Sequence, residues 1–141
     1  EFNLNLMFFK KSKSDNKELL KICALLIHAA KIDENYSDEE KKIIKKALIE
    51  ISKNDENIHE ILEKAERLES DSNQILEFTR EVKNMSHENK IKIVETLWKI
   101  IYSNNEADIY ETGLMRRLAG LLYIDSKTMG TIKEKIIKEI S

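Results

Sequence analysis

The sequence predicts an all-α fold, a single-domain bundle of about seven helices. The chain of 141 residues has no proline and only three glycines, so little in it interrupts a helix. Hydrophobic residues make up 41% of the chain and charged residues 35%. That balance is typical of amphipathic helices, each with a narrow buried stripe and a charged outer face. Because the chain length fits one domain, we expect the helices to share one core.

The first two predicted helices are separated by an acidic loop. Asp15 is a candidate N-cap for helix 1, which is predicted to end near Lys31. The apolar residues of helix 1 follow the helical period at Leu19, Ile22, Cys23, Leu26, Ile27 and Ala30. Helix 2 is predicted to begin after Ser37 and to bury Ile43, Ile44, Ala47, Leu48 and Ile51.

The remaining helices follow short connections, apart from a second acidic loop before helix 6. Helix 3 is predicted at 56–69, and its few apolar residues place it at the periphery. Helix 4 is predicted at 73–84, with Ile75, Leu76, Phe78 and Val82 buried.

Helix 5, which Ser86 caps, is apolar nearly all round, as is typical of a buried helix. Helices 1 and 5 are therefore the predicted core pair. Helix 6 is predicted to begin after Asp108, and helix 7 after Asp125 or Ser126.

The unit of helix 1, acidic loop and helix 2 has a counterpart later in the chain. An offset of 71 residues, the separation of Glu40 and Glu111, aligns apolar with apolar and carboxylate with carboxylate. The aligned apolar pairs include Ile22 with Ile93, Leu26 with Leu97, Ile44 with Met115 and Ala47 with Leu118. Two copies are too few for a solenoid, so we expect a closed bundle with a pseudo-duplicated helix–acidic loop–helix unit.

Charge and apolar runs argue against several classes of protein. The formal net charge is −2 and no basic stripe is present, so a nucleic-acid partner is not expected. No apolar run is long enough for a transmembrane segment, and no signal-peptide pattern is present. Cys23, the only cysteine, cannot form an intramolecular disulfide. We therefore expect a cytoplasmic protein whose partners are other proteins.

Residues 1–14 are predicted to form an N-terminal arm. Met7 is a plausible start, and Glu1-Phe2 resembles a restriction-site scar, so we hypothesise that residues 1–6 derive from cloning. Phe8-Phe9 and the lysines that follow have three open interpretations: a weak membrane-surface contact, a tail folded onto the bundle, or an unfolded arm.

The two acidic loops carry the candidate metal ligands. Asp33, Asn35 and Ser37 alternate in the first loop, and oxygen ligands at alternate positions suit Ca²⁺ or Mg²⁺. Neither loop is an EF-hand, because neither has the glycine or the final glutamate of that motif. The candidate ligands are Asp33, Glu40, Glu106 and Glu111.

A structural role competes with metal binding at both glutamates. Ser37 with Glu40, and Asp108 with Glu111, have the spacing of capping boxes. In such a box the cap side chain accepts a hydrogen bond from the backbone N–H of the glutamate, and the glutamate side chain accepts one from the backbone N–H of the cap residue. Asp33 lies outside the cap and is the better metal candidate.

No residue set in the sequence predicts catalysis. Glu56 and His59 have the Glu-x-x-His spacing of di-iron bundles, but the second copy is missing and His59 lies off the apolar stripe. Cys23 lies in an apolar stripe, which favours a core position over a nucleophile. No Ser–His–Asp set, Gly-rich phosphate loop or paired-cysteine motif is present. We therefore expect a protein that is not an enzyme.

With these two loops the chain resembles the TerB-like family, named for the tellurite resistance protein TerB. That family is an all-helical bundle with duplicated motifs of the form Ala-Asp-Gly-x-apolar-x-x-x-Glu. Asp33, Tyr36 and Glu40 occupy the Asp, apolar and Glu places of the first motif. In the second, Asn104-Asn105 replaces Asp-Gly, and Glu111 keeps the place of the glutamate.

The resemblance covers roughly residues 19–129 and implies a TerB-like domain at 15–141. It also implies an association with resistance to tellurite and other chemical stress, with proposed metal binding and membrane-linked complexes. A related domain precedes a J-domain in a membrane co-chaperone. Two hypotheses follow. In the first, the chain is a stress-response domain that binds a divalent cation through the four candidate ligands. In the second, it is a protein-interaction module of adaptor or co-chaperone type, whose acidic residues serve as caps and a docking patch without a metal.

Overall fold

The computed structural model describes residues 17–32, 36–54, 56–72, 75–104 and 109–140. Within these ranges the chain is all-helical, as predicted, with seven α-helices, one short 3₁₀ helix and no strand. The α-helices are α1 (17–30), α2 (Asp38–Ser52), α3 (Ile58–Asp71), α4 (Leu76–Lys83), α5 (His87–Ile101), α6 (Ile109–Leu121) and α7 (Ser126–Ile140). The 3₁₀ helix, Tyr102–Asn104, follows α5 directly. The predicted arm and the predicted Asp15 cap lie outside the described residues.

One hydrophobic cluster joins all seven helices, and α1 and α5 contribute most to it. The burial predicted for both helices is confirmed, since each is buried on more than one face. Helix α5 packs against α2 and α7, and α2 also packs against α3. None of the described helices is long and apolar enough to cross a lipid bilayer. The buried apolar residues of α1 are Leu19, Ile22, Cys23, Ala24, Leu25, Leu26, Ile27, Ala29 and Ala30.

Local capping fixes where three of the helices begin. In α2 and α5 the cap is a serine, Ser37 and Ser86, and its hydroxyl oxygen accepts the backbone N–H of the residue three positions later, at 3.2 Å in both helices. In α7 the cap is Asp125, whose Oδ1 accepts the Thr128 backbone N–H at 2.7 Å. Each cap satisfies one of the backbone donors that a helix leaves without an internal partner. The predicted starts of helices 2, 5 and 7 are thereby confirmed.

Helix α3 begins two residues later than the sequence predicts. Asn57 has φ 64°, in the left-handed region, which does not continue into a helix. The preceding turn is closed by the Asn54 side chain, whose Oδ1 accepts the Glu56 backbone N–H at 2.9 Å. The helix begins slightly after the approximate start predicted from the sequence, because this local turn competes with the helix.

The predicted burial of Leu76 is also wrong, since its exposed fraction is 47%. Ile75, Phe78 and Val82 are buried and lie three to four residues apart, so they form the inward stripe of this segment. Leu76 follows Ile75 directly, and a step of one residue along a helix points the next side chain away from that stripe.

Positions related by the 71-residue offset are buried to similar extents. Glu40 and Glu111 are each 3% exposed. Ile44 and Met115 are almost fully buried. Burial therefore follows the sequence repeat at these positions, while the superposition of the two units stays a prediction.

We expect Leu97→Ala to lower the free energy of unfolding by about 2–5 kcal/mol, because it leaves a cavity in one of the two central helices. Leu76→Ala is the matched control, since it removes the same atoms from an exposed site and should cost less than about 1 kcal/mol. Urea denaturation measures both values. Equal losses in the two variants would contradict the placement of the core.

Candidate functional site

The structure describes two of the four candidate metal ligands. Glu40 lies in the first turn of α2 and Glu111 in the first turn of α6, and both are buried. Asp33 and Glu106 lie outside the described residues. Among the residues that are described, no group of three His, Cys, Asp or Glu side chains is arranged to hold a metal ion. The four-residue site therefore stays a prediction.

The predicted capping box at Ser37 and Glu40 is present. Glu40 Oε1 accepts the Ser37 backbone N–H at 2.8 Å and the Ser37 hydroxyl at 3.1 Å. In return, the Glu40 backbone N–H donates to Ser37 Oγ at 3.2 Å. These bonds fix the buried carboxylate at the exit of the first acidic loop. The cap partner predicted for Glu111 is Asp108, which lies outside the described residues.

Tyr36, Lys41 and Glu66 connect the start of α2 to α3. Lys41 Nζ lies 5.0 Å from the centroid of the Tyr36 ring, within the range of a cation–π contact. The same ammonium is 3.6 Å from Glu66 Oε2. The lysine thereby links the residue that precedes the helix to a carboxylate on the neighbouring helix.

The negative charge of Glu66 acts on two neutral groups. Burial raises the pKa of the Tyr36 hydroxyl, and the negative charge of Glu66 raises it further. Burial, and then the charge of Glu66, also raise the pKa of the Cys23 thiol on α1. The thiolate is the reactive form of cysteine, so this environment opposes nucleophilic chemistry at Cys23.

A second charged cluster connects the end of α1 to α3. Glu69 is 8% exposed, and its Oε2 accepts Lys31 Nζ at 2.8 Å. His28 Nδ1 lies 3.4 Å from the other oxygen of the same carboxylate. Lys31 also donates to Ser70 Oγ at 3.3 Å. These contacts satisfy a carboxylate that would otherwise be costly to bury, and they hold the chain just before the first acidic loop.

Two carboxylates of α3, Glu66 and Glu69, were not singled out from the sequence. The burial of Glu69 could have been predicted, because this residue lies four positions after Ala65 and so continues the buried stripe of α3. No comparable pattern in the sequence predicts the ion pair of Glu66. Its partner Lys41 lies on another helix, and only the packing of α2 on α3 brings the two together.

A comparison of the sequence with protein families identifies a matching family. A family model described as Tellurite resistance protein TerB matches residues 19–134. The matched range starts in α1, ends in α7 and includes both acidic loops. No curated protein and no solved structure gives a significant match.

We expect Ser37→Ala to lower the free energy of unfolding by about 1 kcal/mol, because the cap of α2 loses its acceptor. Ser126→Ala is the control, since it removes an exposed hydroxyl from the first turn of α7, whose cap is Asp125. Chemical denaturation of both variants measures the difference. A loss of similar size in the control would show that the cap does not account for the effect.

The raised pKa of Tyr36 predicts a loss of stability at alkaline pH. Above the ordinary tyrosine pKa of about 10 the unfolded chain loses this proton while the folded chain keeps it, so the free energy of unfolding falls. We expect Tyr36→Phe to reduce the loss measured between about pH 9 and about pH 11. Tyr123→Phe, at a residue that is 73% exposed, should leave the loss unchanged. An identical pH dependence in the wild type and Tyr36→Phe would contradict the prediction.

Proposed function

The chain belongs to the tellurite resistance protein TerB family, and from this membership we propose that it is a non-enzymatic domain that binds a divalent cation through its acidic loops. The proposed ligands are Asp33 and Glu40 at the first loop and Glu106 and Glu111 at the second. The association with tellurite resistance belongs to the family, and cation binding is our proposal for this chain.

The burial of Glu40 and Glu111 is the observation that carries the proposal. Both carboxylates lie in the first turn of a helix that follows an acidic loop, at positions 71 residues apart. Ser37 already holds Glu40 in one orientation, so little further ordering is needed for a cation to use that carboxylate. Carboxylate oxygens are the ligands that Ca²⁺ and Mg²⁺ prefer.

Two observations support a role without catalysis. The buried Cys23 thiol has a raised pKa, which disfavours the reactive thiolate. The His28 and His59 rings each lie beside a glutamate, at 3.4 Å from Glu69 and 3.1 Å from Glu63, and His59 is largely exposed. Both histidines are thus paired with a carboxylate and not with a serine or cysteine.

Thermal melting of chelator-treated protein tests cation binding. We expect Ca²⁺, Mg²⁺, Mn²⁺ or Zn²⁺ to raise the melting temperature, because a ligand that binds only the folded chain stabilises it. At about 100 times its dissociation constant, such an ion adds roughly 2.7 kcal/mol. Asp33→Ala should abolish the rise.

Glu40→Gln separates cation binding from capping. Glutamine also serves in a capping box, so this variant keeps the hydrogen bonds to Ser37 while it removes the negative charge. We expect the metal-free variant to melt near the wild type and to lose most of the ion-dependent rise. Glu63→Gln, on the exposed face of α3, is the control and should keep the rise. An unchanged rise in Glu40→Gln would contradict the assignment of Glu40 as a ligand.

The observed capping box favours a second candidate, a protein-interaction module without a metal. The hydrogen bonds from Ser37 already account for part of the burial of Glu40 without a cation. In this interpretation the acidic residues act as helix caps and as a negatively charged docking patch. If no ion moves the melting temperature, the cation proposal fails and this second function is favoured.

A further inference from the structure

The outer face of α6, formed by Gly113, Arg116, Arg117 and Gly120, is exposed and carries no carboxylate. The one carboxylate of α6, Glu111, is buried at 3% exposure. In the part of the chain that the structure describes, neither arginine has a hydrogen bond or an ion pair. The exposed charge of this helix is therefore purely positive.

Helix α4 packs against α6 and adds no net negative charge. It carries two carboxylates, Glu77 and Glu81, and two cations, Arg80 and Lys83. Glu81 is already paired, because Lys21 Nζ lies 3.1 Å from its Oε1. The charges of α4 therefore do not offset the two arginines of α6.

Helix α7, another neighbour of α6, is itself basic. Between Ser126 and Ile140 it has four lysines and two glutamates. Asp125, in the turn between α6 and α7, accepts the Thr128 backbone N–H at 2.7 Å and so caps α7. No net negative charge comes from this neighbour either.

The strip between the two arginines is open. No atom of another described residue lies within 4 Å of the place where a Cβ of Gly113 or Gly120 would be. Seven residues make almost two helical turns, so the two glycines lie in line, roughly 10 Å apart along the axis. Arg116 and Arg117 are three and four residues from each glycine and lie on either side of that line. A chain that pairs with both arginines can therefore approach α6 closely.

Tyr123 lies directly beyond the last turn of α6, and its backbone N–H donates to the Gly120 carbonyl at 3.3 Å. Its φ of 57° is in the left-handed region, where glycine is favoured at the end of a helix. The side chain is nevertheless large and 73% exposed, with Lys83 Nζ 5.3 Å from the ring centroid. An aromatic ring in this position contributes little to the core and is available for contact with another molecule.

We propose that the outer face of α6 binds an acidic segment of a partner protein. Carboxylates of that segment would pair with Arg116 and Arg117, and an apolar side chain would contact the ring of Tyr123. Arginine suits this role because its guanidinium forms two parallel hydrogen bonds with a carboxylate. Arginine and tyrosine are also enriched in protein interfaces.

Charge argues against residues 1–16 of the chain as the occupant. Lys10, Lys11 and Lys13 give that segment positive charges next to its aromatic pair, and like charges repel. The proposal is also independent of the cation site. Glu111 is buried, and none of the proposed cation ligands belongs to the outer face of α6.

Fluorescence anisotropy with a labelled acidic peptide tests this face. The probe is a fluorescein-labelled peptide of glutamate and leucine with the length of α6, and the control peptide has glutamine in place of every glutamate. We expect chelator-treated protein to bind the acidic peptide saturably, and added salt to weaken the binding. No rise in anisotropy, or equal rises with both peptides, would overturn the proposal.

Charge variants assign the binding to α6. The double variant Arg116→Gln and Arg117→Gln should weaken binding by roughly tenfold or more, the equivalent of about 1.4 kcal/mol. The matched control, Lys42→Gln and Lys46→Gln, removes two exposed positive charges from α2 and leaves the same net charge. It should keep most of the affinity. Equal weakening in the two double variants would show that only the net charge matters and would overturn the assignment.

Gly120→Gln separates binding from damage to the fold. Glutamine is a better helix former than glycine and meets no neighbour here, so this variant should melt at a higher temperature than the wild type. Its side chain would fill the open strip and weaken binding of the peptide. Damage to the fold would lower the melting temperature as well. Unchanged affinity in Gly120→Gln would contradict a close approach to this face.

Two further measurements test other occupants of the outer face. A protein that stays monomeric in sedimentation and binds the acidic peptide supports an acidic partner. A dimer that forms on concentration and is lost in the double arginine variant would overturn it in favour of a second copy of this chain. Binding to vesicles that contain phosphatidylserine, without binding of the peptide, would overturn it in favour of a membrane surface.

Discussion

The structure depends on the burial of two helices that are apolar on more than one face. In α1, Ala24, Leu25 and Leu26 are consecutive and all fully buried. In α5, Ile100 and Ile101 are likewise buried side by side. A helix of this kind can only be stable when other helices surround it, because each apolar face left in water would cost hydrophobic free energy. The remaining helices are amphipathic, and their buried stripes supply that cover.

Charged side chains also attach α3 to its neighbours. Glu69 holds the end of α1 through Lys31, and Glu66 holds the start of α2 through Lys41. The first acidic loop lies between these two attachment points in the chain. Its flanking residues are therefore tied to α3, and the Ser37–Glu40 box fixes the loop exit. The described residues on both sides of the loop are therefore held in place by side-chain contacts.

The proposed acidic site depends on how two helices begin. It combines loop residues with buried glutamates in the first turns of α2 and α6. How a helix begins is a local property, set by its cap and by the residues of its first turn. Membership of the TerB family covers this region, and it assigns no ligand to it.

The sequence alone determined the helical class, the most buried helices and the caps at Ser37 and Ser86, and it left Asp125 and Ser126 as alternatives for the cap of α7. These follow from short-range rules, namely helical periodicity and backbone hydrogen bonds within one turn. It also located the candidate glutamates of the acidic site, because capping spacing is a local pattern. The outward turn of Leu76 could not be predicted, since a shift of one residue decides which side faces the core.

Only the tertiary structure decided which charges meet. Lys41 and Glu66, and likewise Glu50 and Lys92, lie on different helices, and no spacing along the chain connects them. Their contacts arise from the packing of α2 on α3 and on α5, which is set by the shapes of all the buried faces together. The acidic loops could thus be found in the sequence, whereas the ion pairs between helices exist only once the helices have packed.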